Sequence, residues 1–224
     1  MLDMAHSQRR PDYASVSIMN VHVPRPALPL TQAAEGLPRR KWTVAEILAM
    51  MHAGIIKQQD RFELIGGEIV PMSPKGVPHE TVKMELNRFW TKKLPPEISI
   101  LTETTLYINE HEFLEPDFIF WPRSIAVKDI KPKDIMLLVE ASDSSLNYDL
   151  GRKAEIYASI GIREYWVVNA TKLTVRVHRL AAGETTAGNY PRGKNFAYTQ
   201  LLTPSLLPIL AVRLADLGLL PLME

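Results

Sequence analysis

The stretch Ile135-Met136-Leu137-Leu138-Val139-Glu140-Ala141, followed by the periodic segment Asp149–Ile160, decides how this chain reads. Its first five residues are apolar on both faces of any strand, the pattern of a central strand covered on each side. Glu140 ends the run. The segment after it has helical spacing and closes at Gly161, a C-cap residue. Beyond it Ile162–Asn169 and Leu173–Arg179 read as two further strands, turning at Ala170-Thr171.

Upstream, Thr43 is an N-cap with Glu46 three residues on, which predicts a short helix to Met51. Phe62–Ile65 and Glu68–Val70 flank Gly66-Gly67, a hairpin signal. Pro78 opens a helix carrying Val82, Leu86, Phe89 and Trp90 on one side, and Pro95-Pro96 ends it. Ile98–Leu101, Thr104–Ile108 and Pro116–Trp121 read as strands. Residues 181–195 read as a polar loop, and a short helix is expected near Val212–Leu217. The order predicts an α/β chain whose mixed sheet is flanked by helices. Residues 1–40, broken by prolines 11, 24, 26, 29 and 38, are expected to form an extended or disordered segment, with a docking strand or dimer arm as the alternative. Residues 41–224 are expected to form the folded domain.

Composition narrows the chemistry. The 224 residues hold no cysteine, which excludes disulfides, thiolate metal sites and a cysteine nucleophile. No apolar run reaches the roughly 18 residues of a membrane span, and the first residues lack a secretory signal, so a cytoplasmic location is expected. Net charge is +1, without the basic excess usual in a dedicated DNA-binding domain.

Two carboxylates stand where burial is expected. Glu140 ends the central strand, and Asp117 is the one charge in Pro116-Asp117-Phe118-Ile119-Phe120-Trp121. A buried carboxylate must be paired, protonated or bound to metal; otherwise each reaches water at a strand end. The helix that follows is informative about Lys153. At about 100° per residue, Lys153 falls within about 60° of Leu150, Ile156, Tyr157 and Ile160, while Arg152, Glu155 and Ser159 face away. Lys153 therefore points toward the sheet, where it either snorkels or meets an anion. Glu140 is the natural partner, as a plain ion pair or as part of a catalytic site.

Five segments occur in order: Phe62-Glu63-Leu64-Ile65-Gly66-Gly67-Glu68, Glu115-Pro116-Asp117, Leu138-Val139-Glu140-Ala141-Ser142, Lys153-Ala154-Glu155-Ile156-Tyr157 and Gly161-Ile162-Arg163-Glu164-Tyr165-Trp166. Together they resemble the bacterial "putative restriction endonuclease" family, formerly a domain of unknown function, within the PD-(D/E)XK nuclease superfamily. The likeness covers about residues 41–180. It implies a restriction-endonuclease-like core, a four-stranded mixed sheet flanked by helices. It matches Asp117 to the PD element and Glu140 to the second acidic residue. The superfamily expects a lysine two residues later, where this chain has Ser142; the resemblance suggests that the lysine has moved to Lys153.

Such a site would hydrolyse DNA phosphodiester bonds. The implied catalytic set is Asp117, Glu140 and Lys153. Mg²⁺ or Mn²⁺ would be held by Asp117, Glu140 and the backbone carbonyl of Ala141. Glu63 is an accessory candidate for metal or water, or else an exposed hairpin carboxylate. His79, on the Val82/Leu86 face, either approaches phosphate or metal or is a hydrogen-bonded core histidine. Tyr157 is expected to pack with its hydroxyl near the site, and Glu164-Tyr165-Trp166 to belong to the core sheet. DNA is the implied partner, and analogy with nucleases that cut both strands suggests a homodimer. A catalytically vestigial DNA- or protein-binding factor and another metal-dependent phosphoesterase are the competing functions.

Overall fold

A computed structural model describes residues 38–222, except 58 and 181–187. The expectation for residues 1–40 therefore falls almost wholly outside the described residues. The chain from Pro38 onward opens with α1 (Val44–His52), started by a capping box in which Thr43 and Glu46 satisfy each other's backbone N–H. The hairpin β1 (Phe62–Ile65) and β2 (Glu68–Pro71) follows. Both turn glycines have positive φ, +57° at Gly66 and +86° at Gly67, and a Cβ on Gly67 would strike the Lys41 backbone. Next is α2 (Val77–Lys93), with Pro78 in its first turn.

Six of the remaining strands are β3 (Ile98–Thr102), β4 (Leu106–Asn109), β5 (Glu112–Leu114), β6 (Phe118–Pro122), β7 (Leu137–Ser142) and β8 (Glu164–Asn169). They are followed by β9 (Val175–Arg179) and β10 (Arg192–Phe196). Two sheets result. One is six-stranded, ordered β10-β9-β8-β7-β6-β3, and the other four-stranded, ordered β2-β1-β5-β4. Among the described residues only β7 and β8 pair in parallel, and the helical stretch 146–159 lies between them in the chain.

Trp90, Leu86 and Val82 of α2 pack on one face of the large sheet against Phe118, Phe120, Val139 and Trp166. The Trp90 indole N–H donates to the Leu210 carbonyl at 3.1 Å, tying the C-terminal segment to that layer. The other face carries Ile119, Leu138 and Val167 against Ile156 and Tyr157. Alternation along β7 sends Val139 to the first face and Leu138 and Glu140 to the second, so Glu140 confronts the helical stretch. No helix among the described residues is long and apolar enough to cross a membrane.

Several expectations need correction. The mixed sheet has six strands rather than four, because β9 and β10 extend the four strands β8-β7-β6-β3 antiparallel at one edge. Residues 192–195, read as loop, form most of β10; their polarity suits an edge strand with one solvated flank. β5, with three residues, is too short to carry a periodic signal and is not among the expected strands. The C-terminal helix is a 3₁₀ turn, Leu214–Leu217.

The helix expected from Asp149 starts earlier, with α3 (Leu146–Tyr148). A π-helical turn follows (Asp149–Lys153), and then α4 (Ala154–Ser159). The wider i→i+5 turn advances less per residue than an α-helix. It thus separates Leu150 from Lys153. Leu150 is exposed, whereas Lys153, Ile156 and Tyr157 are buried.

His178 on β9 stacks on Tyr165 of β8, with ring centroids 5.7 Å apart and planes 16° apart. Its Nε2 is buried without a hydrogen-bond partner among the described residues. Burial, with Arg176 nearby, lowers its pKa from 6.5 to about 4. Between those values the unfolded chain binds the proton and the folded chain does not. The contribution is therefore complete above about pH 6.5 and is lost as pH falls toward 4. In urea unfolding at pH 7 and pH 4.5, His178→Phe should gain on the wild type at the lower pH. An unchanged difference at the two pH values would contradict this reading.

Candidate active site

The C-terminal end of β7 and the start of β6 build the centre. Pro116 has no N–H, and the Phe118↔Val139 register would place it opposite Ala141. The ladder is replaced there by side chains. Asp117 Oδ2 accepts the Ala141 N–H at 2.9 Å, and the Asp117 N–H donates to Glu140 Oε2 at 3.1 Å. The two carboxylates thus cross-link the strand ends that carry them. The Ala141 carbonyl, facing a proline, lacks the N–H donor a ladder would supply.

Lys153 closes the group from the helical side. Its Nζ is 2.9 Å from Glu63 Oε1, 3.0 Å from Glu140 Oε1 and 3.6 Å from Asp149 Oδ1. Lys153 is only 5% exposed, so it does not snorkel; it is enclosed by carboxylates. The Tyr157 hydroxyl, one turn on, donates to Glu140 Oε1 at 3.0 Å. Ser142 and Ser145 donate their hydroxyls to Asp149 Oδ2 at 2.8 and 2.6 Å, and the Tyr165 hydroxyl donates to the Asp149 carbonyl at 3.0 Å. Ser142 therefore anchors the π-helical turn from which Lys153 extends.

Glu63 is 2% exposed and accepts the Glu115 N–H at 3.0 Å, which overturns the exposed-hairpin alternative. His79 is buried, its Nε2 3.0 Å from Asp117 Oδ2. The structure thus brings together all six side chains singled out in the sequence. It adds Asp149 and Lys75, whose Nζ lies 3.3 Å from Asp117 Oδ1. Lys75 sits in the Pro-rich segment before α2, where no periodicity marks a face; Asp149 was legible only as a helix start. A cleft of about 230 Å³ opens onto Glu63, Lys75, His79, Asp117, Glu140 and Lys153.

The electrostatics follow from four buried carboxylates around one buried ammonium. Burial works against the charge on Lys153, but Glu140, Glu63 and Asp149 outweigh it and hold its pKa well above the usual lysine value. Burial raises Glu140 well above the carboxylate range; Lys153 opposes this, while Asp117, Asp149 and Glu63 add to it. Burial likewise raises Asp149 despite Lys153 and the two serines. Asp117 behaves differently. Burial is outweighed by His79, Lys75 and the Ala141 N–H, and its pKa falls to about 2. The cluster is therefore short of positive charge. Among the described residues no three acidic or histidine side chains are disposed to hold a metal ion as they stand. Lys153 lies between Glu63 and Glu140, and Lys75 lies on Asp117.

The family model described as "Uma2: Putative restriction endonuclease" matches residues 44–213, about three quarters of the chain. The chain belongs to this family. A nuclease of Anabaena variabilis, described as putative and as belonging to DUF820, shares the Uma2 chain's fold with a TM-score of 0.61. It is 16% identical, and the match covers 78% of this chain and 96% of that one. The type IIG restriction endonuclease BpuSI matches with a TM-score of 0.33 and 16% identity, over 57% of this chain and 13% of its own, too little to carry an argument. No curated protein matches.

Removing the buried ammonium leaves Glu63, Glu140 and Asp149 without their shared partner. Lys153→Ala should cost about 3–5 kcal/mol of stability, the range for breaking a buried ion pair from one side. Urea unfolding at pH 7 measures it. A loss below about 1 kcal/mol, the value of a surface pair, would show that the network does not form.

Proposed function

We propose that this Uma2-family chain is a metal-dependent endonuclease that hydrolyses DNA phosphodiester bonds, with Asp117, Glu140 and Lys153 as its catalytic residues. The observation that carries the reading is the convergence of these three side chains in one cleft, with Lys153 Nζ 3.0 Å from Glu140 Oε1 despite coming from a different element. The donor set suits a hard divalent ion such as Mg²⁺ or Mn²⁺: carboxylate oxygens, a carbonyl without its ladder donor, and a local excess of acid. Such an ion, held by Asp117, Glu140 and the Ala141 carbonyl, would neutralise charge on the phosphate and lower the pKa of a water molecule.

The chain's own residues divide the remaining work. Lys153 presents an ammonium, its charge favoured by Glu140, Glu63 and Asp149, at the cleft, where charge grows on the phosphoryl oxygens in the transition state. Glu63 and Asp149 fix that ammonium in place. Tyr157 orients Glu140, and His79 orients Asp117, in the manner of groups that hold metal-binding carboxylates. A nuclease-fold binding factor without catalysis is the competing reading, favoured by the lack of a basic excess.

Purified chain incubated with single-stranded, duplex and branched DNA should cleave with Mg²⁺ or Mn²⁺ and not with EDTA. Asp117→Asn and Lys153→Ala should lower the rate by at least about 10²–10³-fold, the scale for losing one transition-state stabiliser. Near-UV circular dichroism identifies any variant that fails to fold. Absence of cleavage with both metals, or folded variants that cut as fast as wild type, would overturn the assignment and favour the binding factor.

A further inference from the structure

Asp117 has two oxygens, and their partners differ. Oδ2 already accepts from the Ala141 N–H and pairs with His79 Nε2. Oδ1 faces Lys75, whose Nζ is 3.3 Å away. A cation entering the cleft meets Asp117 through Oδ1, because the other oxygen is occupied by groups fixed on β7 and α2. That position is where the ammonium lies. Two cations on one carboxylate oxygen repel strongly in a poorly solvated cleft, so occupancy by one opposes occupancy by the other.

Lys75 is placed to leave. It lies in residues 72–76, which form neither helix nor strand, between β2 and α2. It has a second partner, Glu103, which also binds Lys83. Glu103 has φ +53°, a left-handed conformation uncommon for a non-glycine residue. Its N–H donates to the Asp117 carbonyl at 3.3 Å, which ties its backbone to that of Asp117. Lys83 provides an internal comparison: it shares Glu103 and also pairs with Glu80 at 3.1 Å, and neither partner is a proposed metal ligand.

We propose that Lys75 is a tethered competitor for the divalent cation, occupying Asp117 Oδ1 in the metal-free chain and giving it up, while keeping Glu103, when the ion binds. The inference rests on the metal-dependent reading of the site. It explains how a cluster rich in buried acid stays paired without metal, and it makes metal affinity depend on a residue that is not itself a ligand.

Two measurements on the full chain test it. In calorimetric titration with Mn²⁺, Lys75→Met should bind about tenfold more tightly, equivalent to about 1.4 kcal/mol, whereas Lys83→Met should leave the affinity within about twofold of wild type. Equal gains in both variants would mean a general charge effect, and no gain in Lys75→Met would mean no competition; either result overturns the proposal. Acetylation of wild-type chain, read by mass spectrometry, requires no variant. Mn²⁺ should raise the labelling of Lys75 and not that of Lys83. Unchanged Lys75 labelling in metal-loaded chain also overturns it. Failure of the catalytic reading is separable: wild type that binds Mn²⁺ yet cuts no DNA refutes catalysis alone, whereas wild type and Lys75→Met that both bind no Mn²⁺ refute both.

Discussion

An ammonium withdrawn from water loses several kcal/mol of hydration, and only close, well-directed anions restore it. Lys153 is in this position, 5% exposed, with Glu63, Glu140 and Asp149 around it. Each of these carboxylates comes from a different part of the fold: the small antiparallel sheet, the central strand and the π-helical turn. The ammonium is therefore a point at which three elements must agree. It is also the reason Glu140 can be buried at the end of an otherwise apolar strand.

The geometry around it is set by short substitutions for regular hydrogen bonding. Pro116 interrupts the β6–β7 ladder, and Asp117 takes over the Ala141 N–H with its side chain. The same interruption leaves the Ala141 carbonyl without a ladder donor. On the opposite side, Asp149 is gripped by Ser142 and Ser145, and its carbonyl by Tyr165. A π-turn at a functional position is a recurring device. Here it brings Asp149 and Lys153 to the same side of the helix while turning Leu150 to solvent. The Glu164-Tyr165-Trp166 string serves the scaffold. Buried Glu164 accepts from the Trp166 indole at 2.7 Å and from Arg179 at 2.8 Å, joining β8 to β9.

Excess negative charge connects the static cluster to its proposed chemistry. Protons, lysines or a divalent ion can each compensate buried carboxylates. Lys153 is enclosed and anchored from several sides, whereas Lys75 reaches Asp117 from a segment without regular structure. A fixed cation suits transition-state stabilisation; a displaceable one suits a site that must accept metal.

Much of this was legible in the chain because it depends on local periodicity. The apolar run ending in Glu140 marked the central strand. The spacing of Lys153, Ile156 and Tyr157 aimed the lysine at the sheet, since one helix face is a property of a dozen adjacent residues. The capping box and the Gly66-Gly67 hairpin were equally local. The sequence by itself thus determined the central elements and which side of the helix carries Lys153. Tertiary structure decided which groups meet that lysine. Glu63 lies ninety residues away in sequence, and its burial depends on Lys153 and the Glu115 N–H, partners brought by other elements. His79 and Lys75 reach Asp117 from the α2 region. The π-turn and the three-residue β5 likewise depend on packing and strand pairing across the fold. Such contacts leave no period in a sequence, because what selects them is the free energy of pairing buried charge in three dimensions.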